Sequence, residues 1–259
     1  WMSTGRPSMP CAELVERLRQ ATFDHGESFD IQASMGVADF PGEGESVEAV
    51  IALADERMYA EKAISRTSAR NQVHEALVRS IREREPELAD HTDRVTRLSV
   101  AVARRFLADS DQLDVIWRAA QLHDIGKVAI PDSILQKPGP LDEEEQRLMD
   151  QHTLIGERVI NASPALAPVG RLVRHSHEHW DGSGYPDHLS GTDIPLGSRI
   201  ILACAALDAM TGERPYCESI PLAEAVAELE RCSGTQFDPE VVAAVIAESG
   251  TPVVTPTAN

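Results

Sequence analysis

Aromatic residues make up only 4% of this 259-residue chain, so its core must be filled mostly by aliphatic side chains. Long apolar runs are missing too. The longest, Ile200 to Leu207, falls far short of the roughly 20 residues that a membrane-spanning helix needs, so no membrane segment is expected. No charged stretch followed by an apolar core and a small-residue cleavage site opens the chain, which reads as cytoplasmic. Cysteine is scarce: Cys11, Cys204, Cys217 and Cys232 have neither the paired spacing of a zinc site nor the density of a small disulfide scaffold. Packing roles in a reducing compartment follow, and thiolate metal chemistry is not indicated. Basic charge is short as well, since 24 Lys and Arg against 42 Asp and Glu leave a net charge of -18. That balance argues against a nucleic-acid-binding surface, which needs clustered cations to replace counterions. A phosphate substrate stays compatible if metal ions supply the local positive charge.

What is present begins with Trp1 rather than Met, and the polar, irregular stretch to Pro10 reads as a fragment or an interrupted start. Leu14, Val15, Leu18 and Ala21 mark an amphipathic helix, Ile31 to Ala38 a strand, and Val47 to Ser65 a second helix after the Pro41-Gly42-Glu43-Gly44 turn. The words Ser34-Met35-Gly36-Val37-Ala38 and Ala54-Asp55-Glu56-Arg57-Met58-Tyr59-Ala60-Glu61-Lys62 resemble the last half of a GGDEF (diguanylate cyclase) domain. That family's signature loop is absent, so the resemblance implies a non-catalytic remnant over residues 1–68. From Ala69 the pattern is helical. Val73, Leu77 and Ile81 form one stripe that Pro86 ends, and Pro86 then opens the first turn of the next helix. Val95, Leu98, Val102 and Phe106 form that helix's buried face. Asp142 with Glu145 fits a capping box, and Leu166, Val169 and Val173 lead a helix toward Ser176 and His177. Further helices are expected around Ile200 to Met210, Leu222 to Leu229 and Val241 to Ile246, before a flexible Thr- and Pro-rich tail over 250–259.

Most of the nine histidines fall in or beside a few of these segments. Glu87 and His91 stand at i and i+4 and share a helix face. Leu113, Ile116 and Ala120 put His123 on the inward stripe of its helix, next to Asp124. Gly126 can close that helix in a left-handed conformation, and Lys127 then points its ammonium back toward His123 and Asp124. His152 stands at the end of an acidic helix, and His175, His177 and His179 cluster just before Trp180-Asp181-Gly182-Ser183-Gly184-Tyr185-Pro186. Imidazole and carboxylate ligands without thiolates suit Mn, Fe or Mg.

The ordered words His91-Thr92-Asp93-Arg94-Val95, His123-Asp124-Ile125-Gly126-Lys127, Ile130-Pro131-Asp132, Lys137-Pro138-Gly139, Gly184-Tyr185-Pro186, Asp208-Ala209 and Arg214-Pro215-Tyr216 resemble the HD-GYP domain, a subgroup of HD-type metal-dependent phosphohydrolases. The resemblance implies a mainly α, all-helical HD-type domain over residues 69–249, preceded by the small α/β GGDEF-like remnant. It implies hydrolysis of cyclic di-GMP or a related nucleotide phosphate with one to three divalent ions, Fe, Mn or Mg. Glu87, His91, His123, Asp124, His152 and His177 match its metal positions. Asp124 and Lys127 match its catalytic pair, and Lys127, Arg214, Gly184 and Tyr185 its substrate side. A GGDEF-type protein docking on the Trp180 to Leu189 loop and a second copy of this chain are further expected partners.

Two positions depart from the family pattern. Ser176 stands where a histidine is usual, and Ala205 where an aspartate completes the metal site. Asp208 corresponds to a separate family aspartate and is not expected to replace it. The ligand sets left are His91, His123 and Asp124 for one metal and Asp124, His152 and His177 for the other. Two readings therefore stand: an impaired or altered phosphohydrolase, and a degenerate module that senses cyclic di-GMP or binds a protein.

Overall fold

The structure, a computed structural model, describes residues 35–40, 42–44, 46–84, 89–212 and 219–250 together with Arg17, with the backbone alone for 61–69. The chain divides into two compact units, Trp1–Asn71 and Gln72–Asn259.

Helix α1 spans Val47–Arg84. The separate helix expected to stop at Ser65 instead continues, because no Gly or Pro interrupts the stretch. In the first unit, Arg57 pins the preceding loop onto it, donating to the Val37 carbonyl at 2.7 Å and to both Glu43 carboxylate oxygens at 2.9 and 2.7 Å. Gly36 permits this approach, since a Cβ there would lie 1.7 Å from the Ala54 carbonyl oxygen. Met35 to Ala38 form no strand, contrary to the expected one, and residues 31–34 lie outside the described residues. So do the expected helix at Leu14 to Ala21, apart from helical Arg17, the tail from 251, and Pro86 with its helix-opening role.

Among its described residues the second unit consists of helices joined by turns and loops, with one isolated backbone bridge between Ser233 and Phe237. In chain order come α2 (Ala89–Ala103), α3 (Ser110–Leu122), a 3-10 turn (Ile125–Ala129), α4 (Asp132–Leu135), α5 (Glu143–Asn161), α6 (Ala167–Arg174), α7 (Leu196–Thr211), α8 (Leu222–Arg231) and α9 (Pro239–Glu248). Helix α2 packs on α3 and α7, α3 on α6, and α5 on both the 3-10 turn and α6. The apolar run of α7 supplies the centre: Ile200 and Ala203 are fully buried, together with Val95, Val102, Leu122, Ile160 and Val173. Each fully buried Val, Leu or Ile side chain removes enough apolar surface from water to contribute about 1.5–3 kcal/mol.

Local signals fix the helix ends. The Asp142 side chain accepts from the Glu144 and Glu145 backbone N–H groups while Glu145 reaches back to Asp142 N, the expected capping box. Asp238 caps α9 with Pro239 in its first turn. Helix α6 stops at Arg174, short of the expected Ser176 and His177. The Ser176 N–H and hydroxyl both donate to the Val173 carbonyl, at 3.3 and 2.9 Å, and wind residues 175–177 into a turn. No helix among the described residues is long and apolar enough to cross a membrane.

Candidate metal centre

His123 follows the last residue of α3, and Asp124 leads into the 3-10 turn. Gly126 sits inside that turn without a positive φ, so it is not the left-handed helix terminator that the sequence suggests. Its reason is proximity: a Cβ would lie 1.8 Å from the His152 carbonyl oxygen. The missing side chain lets the His-Asp turn lie against α5, which carries His152. His177 arrives from the turn after α6, and His91 from the first turn of α2.

Ligand-competent atoms converge in two groups, His91 with His123 and Asp124, and Asp124 with His152 and His177, each within 4.8 Å of one another. Asp124 is common to both. Its Oδ2 lies 3.5 Å from His123 Nε2 and 2.7 Å from Lys127 Nζ, while Oδ1 lies 3.9 Å from His152 Nε2. Burial alone would raise this carboxyl, but Lys127 and the surrounding imidazoles hold it well below the usual carboxylate range. It is therefore an anion with an oxygen turned to each group.

Hydrogen bonds fix the tautomers of two of the imidazoles. His123 and His152 donate from Nδ1 to the carbonyls of Ala120 and Met149 at 2.8 and 2.7 Å. A carbonyl only accepts, so the proton is on Nδ1 and the lone pair on Nε2. Burial lowers the affinity of both rings for a second proton. Burial, then the neighbouring His152, takes His177 down to about 3. The buried His152 Nε2 has no hydrogen-bond partner among the described residues. An orphaned lone pair beside a buried anion and further neutral imidazoles fits a divalent cation.

His175 does not stand in for the histidine missing at Ser176. Its Nδ1 donates to the Arg171 carbonyl at 2.8 Å, and its Nε2 lies 3.0 Å from Asp187 Oδ2. Ala205 packs against the aliphatic core. Tyr185 stacks on His177 with ring centroids 5.1 Å apart, which sets the loop after Trp180 beside the second group. Gly184 is buried, and a Cβ on it would lie 2.2 Å from His179 N, so its visible work is to bring Tyr185 to His177. Glu87 and Arg214 lie outside the described residues.

Two features escaped sequence reasoning. Glu178, only 1% exposed, accepts from the Asp187 and Leu189 N–H groups at 2.7 and 3.0 Å and staples the loop. Asp208 contacts His91 Nδ1 at 2.5 Å and accepts from Arg94. Nothing in the spacing of Glu178 marks it, whereas Asp208 follows Ala205 by one helical turn and so faces the same side of α7.

The HD domain family matches residues 75–241. A cyclic di-GMP phosphodiesterase of Thermotoga maritima is 43% identical over 165 residues, covering 63% of this chain and 45% of that protein. A 3'3'-cGAMP-specific phosphodiesterase of Vibrio cholerae is 40% identical over 162 residues, 62% of this chain and 35% of that protein. The chain thus spans less than half the length of these curated relatives. Among solved structures, an HDG"Y"P protein from Bdellovibrio bacteriovorus superposes with a TM-score of 0.53 at 15% identity, over 89% of this chain and 76% of that one. That likeness concerns the fold, which is the all-helical HD type.

Proposed function

The chain belongs to the HD-domain family, and we propose that its metal centre hydrolyses the phosphodiester of a cyclic dinucleotide, cyclic di-GMP or a cyclic GMP-AMP. The observation that carries the reading is the pair of ligand groups sharing Asp124, with the Lys127 ammonium 2.7 Å from it. Relatives named for both substrates support the substrate class. The ligands would be His91, His123 and Asp124 on one side and Asp124, His152 and His177 on the other, with Glu87 as a further candidate. Divalent ions held there would polarise the phosphate and make water a competent nucleophile near neutral pH. Asp124 sets the spacing of the two sides through its two oxygens. Lys127 offers fixed positive charge to a non-bridging phosphate oxygen, where charge grows in the transition state. Tyr185 covers one face of His177 and limits water there, and Arg214 is the candidate for holding a second phosphate. Iron or manganese suits this nitrogen-rich donor set better than magnesium.

The loop from Trp180 to Leu189 is also proposed as the docking surface of a GGDEF-type partner. Residues 1–68 are proposed as a non-catalytic GGDEF-like segment on the sequence words around Gly36 and Arg57.

A second reading, a cyclic-dinucleotide-binding module without turnover, has its own observations. The Ser176 hydroxyl is committed to the Val173 carbonyl, and Ala205 offers a methyl where the family pattern has a carboxylate. Measuring bound metal and chromatographic product formation from cyclic di-GMP and 3'3'-cGAMP, for the unmodified chain and Ala205→Asp, separates the two. Turnover by the unmodified chain supports the enzyme. Turnover only after Ala205→Asp supports the module, and metal-free, inactive forms of both would sink the metal-centre reading.

A further inference from the structure

The ligand histidines differ in what holds their second nitrogen. His123 and His152 use backbone carbonyls of their own helices. His91 lies in the first turn of α2, and its Nδ1 is met by the carboxylate of Asp208, 117 residues away on α7. Both side chains are 9% exposed.

Asp208 is itself held on both oxygens. Arg94 donates from Nε to Oδ1 at 2.5 Å and from Nη2 to Oδ2 at 3.0 Å, and His91 Nδ1 meets Oδ2. Arg94 follows His91 by three residues, so guanidinium and imidazole leave the same face of α2 and close on one carboxylate. Opposed by a guanidinium, the carboxylate is ionised and only accepts, so the Nδ1 of His91 must carry the proton. Nε2 then carries the lone pair of the ring. The same engagement explains why Asp208 does not make good the carboxylate missing at Ala205: one turn further along α7, its oxygens are already taken.

We propose that Asp208, backed by Arg94, is the positioning residue for His91, fixing the tautomer and ring direction that offer Nε2 to a divalent cation. An anionic partner also makes an imidazole a stronger donor than a carbonyl partner does. Asp208, one helical turn after Ala205 on α7, thus strengthens His91 as a ligand. The proposal rests on His91 being a metal ligand, as in the reading above, but it does not require turnover of any nucleotide.

The test uses the whole chain with Asp208→Asn and Arg94→Lys. Nitrogen-15 spectra of the metal-free protein, with the His91 signal assigned through His91→Gln, read the tautomer directly. The unmodified protein is expected to show His91 protonated at Nδ1. Asp208→Asn, which supplies an amide without charge, is expected to mix the two tautomers. Mn2+ titration by calorimetry is expected to weaken roughly 10–100-fold at the site containing His91, with the site containing His152 and His177 retained. Arg94→Lys, which keeps the charge and loses the fork, should produce the same changes at smaller size and serves if Asp208→Asn does not fold. An Nε2-protonated His91 in the unmodified protein overturns the proposal, as does a folded Asp208→Asn with unchanged tautomer and Mn2+ affinity. A chain that binds Mn2+ and answers to Asp208 without hydrolysing cyclic dinucleotides would support the proposal while removing the phosphodiesterase reading.

Discussion

The side of the centre formed by His152 and His177 and the side formed by His91 and His123 differ in their supports. His152 is anchored by its own helix through the Met149 carbonyl, and His177 is covered by Tyr185 from a loop that Glu178 staples from within. His91 instead depends on a carboxylate from another helix, and the Arg94 side chain behind that carboxylate is 43% exposed. Each side also has one departure from the family pattern beside it, Ser176 next to His177 and Ala205 one turn before Asp208. Local backbone anchoring survives small shifts between helices, whereas an anchor across α2 and α7 transmits them. The His91 side should therefore be the weaker of the two.

The largest expected effect comes from removing what the two sides share. Asp124→Ala should abolish stoichiometric Mn2+ binding at both, measured by calorimetry, because among the described residues no other carboxylate joins the two ligand groups. Retention of one tight site would mean that one side stands without Asp124.

Acidification should come next and strike the His152–His177 side harder. Half-buried His177 falls from the ordinary 6.5 to about 3 as it loses water contact, and His123 and His152 are lowered as well. Below about pH 6.5 the unfolded chain binds protons that the folded chain refuses, so stability falls as pH drops from there toward about 3. The urea midpoint of the metal-free protein should decline across that window, and His177→Gln should flatten the decline. An equal slope in both proteins would contradict the burial of His177.

Glu178→Gln should destabilise by about 1.5–3 kcal/mol through weakening of two hydrogen bonds to a charged acceptor, read as a lower urea midpoint. It should also weaken Mn2+ at the His177 side before the His91 side. The smallest effect is expected for Tyr185→Leu, about 1 kcal/mol from loss of the ring stacking, with His91-side affinity unchanged.

Much of this was legible in the chain. The aliphatic stripes around Val95, Val102 and Val173 and the Asp142–Glu145 cap mark helices from local chemistry alone, and clustered histidines beside Asp124 mark the ligand groups. The remainder depends on contacts distant in sequence. Gly126 reads as a helix terminator, but its reason is the His152 carbonyl, 26 positions on. The end of α6 carries no Gly or Pro to announce it, because Ser176 makes the turn with its own hydroxyl. Asp208 and His91 meet only because α2 packs on α7. The strand expected over Ile31 to Ala38 from its alternation is a misreading where the chain is described: Met35 to Ala38 form a loop whose Val37 carbonyl accepts from Arg57, 20 positions on.

The central claim is that two divalent ions share Asp124. Electron paramagnetic resonance of the metal-free chain titrated with Mn2+ tests it most directly. The expected result is two bound equivalents with the spectrum of an exchange-coupled pair, lost in Asp124→Ala. A single uncoupled Mn2+ signal, or a coupled one that survives Asp124→Ala, would contradict it.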